Sequence, residues 1–348
     1  MTFSQAERQA MRRALELAAT PGVPLGPNPR VGCVLLAADG STLAEGFHRG
    51  AGTAHAEVDA LAALNGAAAG STAVVTLEPC NHTGRTGPCA EALIAAGVRR
   101  VVFAQPDPNP VAAGGAETLR AAGVEVAAGL LADEARALNR VWSFAQERQR
   151  PFVTWKYAAT LDGRSAAADG TSRWISSAGS RRDTHRLRAL CDTMLVGTGT
   201  VATDNPRLTV RDEHDRPLPV QPLRAVMGQR DLAPDAHVFD DQAETVRLLT
   251  RDPAEALAEL FARDRQHVFL EGGPTLAAAF LRAGLVDEVV GYLAPLLLGS
   301  GRSAVGDLGI GTLADALHLD VVEAATIGEG PETNVRLTMR PTAKREDT

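Results

Sequence analysis

The sequence predicts an α/β protein built from two domains in tandem. Its 348 residues are more than twice the ~150 that one core usually serves. Helix-like and strand-like segments alternate through both halves. Between the halves, the polar run Gln146 to Arg150 meets Pro151, which blocks helix continuation, so the domains are placed at 1–148 and 151–348. Apolar residues make up 45% and charged residues 22% of the chain, which excludes disordered, collagen-like and coiled-coil architectures.

The first half opens on an amphipathic helix carrying Met11, Leu15 and Leu17, started by Ser4 and Glu7 at capping-box spacing. Arg30 to Ala37 and Thr42 to His48 read as strands joined by a turn at Ala38 to Ser41. A helix near Ala54 to Leu64, a strand Thr72 to Leu77, a helix Ala90 to Ala96 stopped by Gly97, a strand Arg99 to Ala104 and a helix Ala116 to Ala122 stopped by Gly123 follow. This pattern makes an α/β layer with mostly parallel strands, closed by one long helix over Ala132 to Gln149. The second half restarts with a strand Phe152 to Ala159, an Asp162-Gly163 turn, a second strand and a helix around Ser177 to Leu190. Strands recur near Asp192 to Val196, Leu223 to Met227, His267 to Leu270, Val286 to Leu293 and Thr333 to Met339.

Lys and Arg number 35 against 42 Asp and Glu, and both halves are net acidic, which argues against a general polyanion binder. No apolar run approaches the ~20 residues that cross a bilayer, and the capped first helix does not resemble a signal peptide. A cytoplasmic protein with no nucleic-acid or membrane partner is expected. Four cysteines, Cys33, Cys80, Cys89 and Cys191, are too few and too unevenly placed for a disulfide framework, which leaves thiolate ligation open.

The chemistry-bearing set in the first half is His55-Ala56-Glu57 at a helix start, Glu78-Pro79-Cys80 after a strand, and Cys89 at the next helix start. Helix starts favour thiolates. One imidazole and two thiolates leave the fourth tetrahedral position of Zn²⁺ open to water, as in a catalytic site. Glu57 is then free to carry a proton to a leaving amine. The order matches the His-x-Glu and Pro-Cys signature of zinc deaminases, with eight residues between the cysteines instead of two. Taken singly, the cysteines read as buried thiols and His55 as a surface histidine; Cys33 and Cys191 have no partner at ligand spacing and read as core. Two other functions fit this set: a nucleic-acid base deaminase, which wants a basic surface, and a zinc-stabilised nucleotide-binding module, which wants a fourth ligand such as Cys33 or His82.

In the second half, Lys156 sits in an apolar strand of a chain whose 35 basic residues include only one other lysine, Lys344, so a compact ammonium is needed there or a solvent-facing residue is tolerated. Arg188 and Arg211 could hold a phosphate. Leu195 to Ala202 imitates a Rossmann fingerprint, but Asp204-Asn205-Pro206 cuts the following helix too short to close a parallel βαβ unit. Phe269 to Thr275 is the better dinucleotide signal: a strand, Gly272-Gly273, then Pro274 at a helix start whose free amides suit a phosphate.

The segments Pro27 to Gly32, His55 to Val58, Thr76 to Cys80, Gly84 to Thr86 with Pro88-Cys89, Asp107 to Pro110, Leu161 to Arg164, Trp174 to Ser176, Thr203 to Pro206, Leu208 to Arg211, Glu271 to Leu276 and Leu285 to Glu288 resemble the bifunctional riboflavin biosynthesis deaminase/reductase family over nearly the whole chain. The eight-residue cysteine spacing is that family's form. Gly87 departs from it, where Pro is usual, and so does Gly228, where the strand commonly ends in an acid.

The resemblance implies a cytidine-deaminase-like α/β/α domain followed by a dihydrofolate-reductase-like α/β domain. It implies Zn²⁺ on His55, Cys80 and Cys89, with Glu57 and Lys156 catalytic. Asn28, His48, His82, Arg85, Asp107 and Asn109 would bind a pyrimidine ribose-phosphate substrate. Ala158, Trp174, Thr200, Asp204, Gly273, Pro274, Thr275, Leu276, Ala277, Ala278 and Ala279 would contact NADPH, and Ser172, Arg188, Leu208, Arg211 and Glu271 the second substrate. A homo-oligomer, dimer or tetramer, is expected.

Overall fold

Helix α1 (Gln5–Ala18) starts on a complete capping box: the Ser4 hydroxyl accepts from the Glu7 amide, and the Glu7 carboxylate accepts from the Ser4 amide at 2.7 Å. In the computed structural model, which describes residues 2–23, 26–66, 68–82 and 87–342, the chain divides into two units, 1–149 and 150–348.

The first unit continues through β1 (Gly32–Leu36), β2 (Thr42–Phe47), α2 (Ala56–Ala62), β3 (Thr72–Leu77), α3 (Cys89–Ala95), β4 (Arg100–Gln105), α4 (Gly115–Ala121), β5 (Glu125–Ala128), α5 (Ala132–Leu138) and α6 (Arg140–Arg148). Its sheet order is β2-β1-β3-β4-β5, and β1 alone runs against the others. Strand side chains alternate between two faces. Cys33, Leu35, Val75, Val101 and Phe103 pack towards α2, α3 and α4, while Val34, Leu36, Val74, Val102 and Ala104 pack towards α1 and α5. The layering is therefore α/β/α.

Two glycines let helices sit directly on neighbouring backbone. A Cβ on Gly46 would lie 2.4 Å from the Ala56 carbonyl oxygen, and one on Gly115 would lie 1.8 Å from the Pro79 carbonyl oxygen. The first contact seats the helix that begins at His55, and the second seats the segment that carries Cys80.

One expectation needs correction. The long helix over Ala132 to Gln149 is two helices, parted at Asn139, whose backbone leaves the helical region. The Asn139 side chain accepts from the Arg30 amide and donates to the Arg30 carbonyl, both at 2.8 Å. This pairing with a residue 109 positions away outweighs the continuous helical pattern.

The second unit comprises β6 (Phe152–Thr160), β7 (Arg164–Ala166), α7 (Ala178–Arg188), β8 (Thr193–Gly197), α8 (Thr198–Asp204), β9 (Leu223–Met227), β10 (Thr245–Leu248), α9 (Pro253–Phe261), β11 (His267–Leu270), α10 (Pro274–Arg282), β12 (Glu288–Ala294), β13 (Arg302–Ser303), β14 (Leu319–Ile327) and β15 (Asn334–Pro341). The large sheet runs β10-β9-β8-β11-β6-β12-β15-β14, parallel from β10 to β12 and antiparallel beyond, while β7 and β13 form a separate pair.

A second correction concerns α8. It does stop at Asn205, which takes the left-handed conformation (φ 43°), yet β8 and β9 are adjacent and parallel. Residues 205–222 supply the return path that the short helix lacks.

Helix α7 is held to the sheet largely by polar contacts. The Ser180 hydroxyl donates to Asn334 Oδ1 at 2.8 Å, and Asp183 accepts from the Tyr292 hydroxyl at 2.7 Å and from Arg336 at 2.9 Å.

Candidate functional site

In the first unit the metal-ligand candidates converge because two helix starts and a strand exit meet. His55 is the N-cap of α2, Cys80 follows β3, and Cys89 is the first residue of α3. His55 Nδ1 lies 3.2 Å from Cys89 Sγ and 3.5 Å from Cys80 Sγ, and the Cys89 amide donates to Cys80 Sγ at 3.4 Å. All three donor atoms lie within 4.8 Å of one another. Tetrahedral zinc with bonds of about 2.0–2.3 Å keeps its donors roughly 3.3–3.8 Å apart, so an N/S/S set at these distances fits it. Among the described residues no fourth His, Cys, Asp or Glu joins the group.

The Cys80 thiol is drawn down to about 4, first by its hydrogen bond with Cys89 and then by His55 and the Cys89 amide. The same shared bond, together with burial, pushes Cys89 up. Glu57, on the first turn of α2, is buried, and that burial raises its carboxyl to about 7.

These residues open into a pocket of about 170 Å³ whose lining includes Asn28, His48, His55, Glu57, Cys80, His82, Asp107 and Asn109. Every expected first-domain substrate contact is therefore gathered there except Arg85, which lies outside the described residues. The His48 ring has a fixed pattern. Its Nδ1 faces the Ala54 carbonyl at 2.9 Å and so carries the proton, which leaves Nε2 to accept from Asn28 Nδ2 at 2.9 Å. Burial lowers its basicity further, and His48 stays neutral.

Glu78, Trp142 and Gln146 also line the pocket and were not expected there. Glu78 accepts from the amides of Asp107 at 3.3 Å and Ala116 at 3.0 Å, so it fixes the loop that carries Asp107 and Asn109. The motif Glu78-Pro79-Cys80 held that signal.

In the second unit, sheet register assembles the site. Leu270 of β11 pairs with Trp155 of β6, which sets Glu271 beside Lys156. Arg188, at the end of α7, donates to Glu271 through Nε at 3.3 Å and Nη2 at 2.5 Å, and to the Thr209 carbonyl at 3.0 Å. Burial pushes the Lys156 ammonium down while Glu271 pulls it up. Burial would raise Glu271, but Arg188 and Lys156 outweigh it and hold the carboxylate low. Arg211 donates to Thr209 Oγ1 at 3.2 Å and to Asp215 at 2.8 Å.

The remaining expected contacts divide into two kinds. Gly273 and Thr200 lie near each other: a Cβ on Gly273 would find nothing closer than Thr200 Oγ1 at 4.0 Å, and one on Gly199 would meet nothing within 4 Å. These open positions sit where α8 and α10 leave adjacent parallel strands, the place where α/β sheets receive ligands. Trp174 is 67% exposed, with the Arg181 guanidinium 4.4 Å from its ring. The neighbouring Arg173 reaches the Asp204 carbonyl. Ser172 is exposed, and Ala158 pairs with Tyr292 across β6 and β12.

Leu208, Ala277 and Ala278, in contrast, bury their side chains in the core. At the start of α10, Thr275 and Leu276 hold the first free amides, because the Ala277 amide is already bonded to the Gly273 carbonyl. Pro274 has no amide hydrogen, and Ala279 lies a full turn further on.

Residues 4–105 match the family described as the cytidine and deoxycytidylate deaminase zinc-binding region, and residues 151–331 match the RibD C-terminal domain. The riboflavin biosynthesis protein RibD of Mycobacterium tuberculosis (strain ATCC 25618 / H37Rv) is 49% identical over 317 residues, which cover 90% of this chain and 92% of the relative. That of Escherichia coli (strain K12) is 41% identical over 352 residues, covering 91% and 96%. Of the solved structures, form 1 of Acinetobacter baumannii RibD superposes with a TM-score of 0.87 at 36% identity, covering 97% of this chain and 99% of that one. The Thermotoga maritima diaminohydroxyphosphoribosylaminopyrimidine deaminase/5-amino-6-(5-phosphoribosylamino)uracil reductase superposes with a TM-score of 0.83 at 32% identity, covering the same shares. The two family matches and these relatives, covered over nine-tenths of their length, place this chain in the RibD family of bifunctional riboflavin biosynthesis enzymes, with a zinc-binding deaminase region and a reductase region.

Proposed function

We propose that residues 1–148 deaminate 2,5-diamino-6-ribosylamino-4(3H)-pyrimidinone 5′-phosphate and that residues 151–348 reduce the ribosyl side chain of the product to ribityl, giving 5-amino-6-(5-phosphoribitylamino)uracil. The observation that carries the first half is the His55/Cys80/Cys89 triangle with buried Glu57 beside it at one pocket. His55, Cys80 and Cys89 would hold zinc, which would supply a Lewis acid to activate water near the amine-bearing ring carbon. Glu57, with a carboxyl that titrates near neutrality, accepts a proton and returns it to the departing amine. Asn28, His48, His82, Arg85, Asp107 and Asn109 hold the pyrimidine ribose phosphate.

In the second half, NADPH supplies the hydride. Gly273, Thr275 and Leu276 at the start of α10, with Thr200 and Asp204 of α8, Ala158 and Trp174, bind the dinucleotide. Ala277 and Ala278 contribute backbone shape only, as their buried side chains require, and Leu208 does the same towards the second substrate. Lys156 protonates or polarises the ribose oxygen or imine as hydride arrives, with Glu271 steadying its charge. Arg188, Arg211 and Ser172 take the substrate phosphate end.

Turnover of the diaminopyrimidine phosphate followed by ultraviolet absorbance, with and without NADPH, tests both halves. Ammonia release without NADPH and cofactor oxidation only after deamination are expected; cofactor oxidation without prior deamination would overturn the order.

A homo-oligomer is supported by the outer edge of the large sheet, where β14 leaves Val321 59% and Val322 50% exposed. Light scattering on the purified protein tests it, a monomer counting against. No described helix is long and apolar enough to cross a membrane, and the four cysteines are free thiols, in keeping with a reducing, cytoplasmic setting.

A further inference from the structure

We infer that His185 is a third hydrogen-bond donor to the phosphate of the reductase substrate, standing with Arg188 and Arg211. This rests on the reading above that those two arginines take that phosphate. His185 and Arg188 are three residues apart on α7 and therefore share a face. The Arg211 backbone amide donates to His185 Nδ1 at 3.3 Å, so in the neutral ring the proton is on Nε2. No hydrogen-bond acceptor for that Nε2–H stands among the described residues.

The charged groups facing the ring are Arg188 from its own helix, Glu271 after β11, and Arg211 and Asp215 from the loop after α8. Burial, then Arg188, with Arg211 in the same sense against Glu271 and Asp215, lowers the imidazole to about 4, so it is neutral at pH 7. The ring therefore stands as a neutral donor between two guanidinium groups and two carboxylates.

The donor inventory points the same way. Arg188 already spends Nε and Nη2 on Glu271 and Nη1 on the Thr209 carbonyl, and Arg211 spends Nε on Thr209 Oγ1 and Nη1 on Asp215. A phosphate has three terminal oxygens to satisfy. His185 brings a donor that the fold leaves uncommitted, held in one tautomer by the backbone of the very residue that supplies the second arginine.

The alternative role, a purely structural acceptor for the Arg211 amide, makes the opposite demand on the ring, and two substitutions separate them. His185→Asn keeps an acceptor where Nδ1 stood and removes the Nε2 donor. His185→Gln places an amide donor where Nε2 stood and gives up the acceptor. In the full-length enzyme, His185→Asn should raise the reductase KM for the deaminated substrate about tenfold or more, the worth of one bond to a charged group, with kcat within about twofold. His185→Gln should stay within about threefold of wild type in KM. The reverse order, or equal KM values in the two variants, overturns the inference.

Ribose 5-phosphate and ribose, compared as competitive inhibitors, separate this inference from its premise. If wild type does not prefer the phosphate ester, the phosphate role of Arg188 and Arg211 falls, and that of His185 with it. If wild type prefers the ester and His185→Asn keeps the full preference, only the role of His185 falls. The expected result is a preference reduced about tenfold in the Asn variant.

Discussion

The two candidate sites are assembled by different means. In the first unit each reactive side chain stands at a helix start or strand exit within a short motif, and two close-packed glycines press those motifs together. In the second unit, Lys156, Arg188 and Glu271 come from a strand interior, a helix end and the residue after a neighbouring strand, with 83 positions between the last two. There the sheet register makes the site. A motif-built site should be lost by single ligand changes that leave the scaffold standing, whereas a register-built site is coupled to the charges that balance it.

The largest expected effect tests the first half of that contrast. Cys80→Ser or Cys89→Ser should release zinc, abolish deamination and leave NADPH-dependent reduction of the deaminated substrate unchanged. Elemental analysis beside the two assays checks this, and full zinc occupancy would remove those ligands from the set.

Glu57→Gln comes next. Deamination should fall roughly 10²- to 10⁴-fold with zinc retained, because in the proposed function the carboxylate moves protons and does not hold metal. Near-normal turnover in that variant would end the proposed role.

Lys156 sharpens the comparison from the other side. Lys156→Ala and Lys156→Arg should both cut reductase kcat, on the order of 10²-fold, since a guanidinium neither fits a point contact nor releases a proton. High kcat in the Arg variant, with raised KM in the Ala variant, would leave Lys156 as an anchor. Burial pushes its ammonium down; the protonated form that donates is therefore lost sooner as pH rises. The reductase rate should fall on the alkaline side below the ordinary lysine pKa, and a flat alkaline limb would contradict a donating Lys156.

The smallest effect falls on the scaffold. Asn139→Ala removes both bonds to Arg30 and should destabilise the protein by roughly 1–3 kcal/mol, measured as a lowered denaturant midpoint, while metal content is unchanged. Loss of zinc in that variant would show that the motif-built site is less self-contained than argued.

Much of the first site was legible because residue type and spacing are themselves chemical: His55, Glu57, Cys80 and Cys89 mean little singly and a great deal in order. Glu78 and Trp142 were less legible, since their roles depend on what folds back beside them. The break at Asn139 could not be read locally, because its cause is Arg30. Strands β5 and β10 have four residues each, and β14 interleaves Asp320 and Glu323 with its apolar residues on an exposed edge, so neither length nor alternation marked them. In the second unit the resemblance named Leu208, Ala277 and Ala278, but only packing tells which of their atoms remain available. His185 stood among arginines on a polar helix and drew no notice until its ring met the Arg211 backbone.

The bond between Arg30 and Asn139 also bears on how the chain is made. The last strand of the first sheet ends at Ala128, so a nascent chain emerging from the ribosome can pair all five strands while the partner of Arg30 is still to come. Up to that point the loop that carries Asn28 has no anchor at Asn139, and Trp142 and Gln146 have not reached the pocket. Metal ligands are thus complete by residue 89, long before the chamber around them. In sequence, the ligand triangle thus comes first and the far wall of its chamber last, and a piece that stopped at the end of the sheet would keep all three ligands beside an unfinished wall.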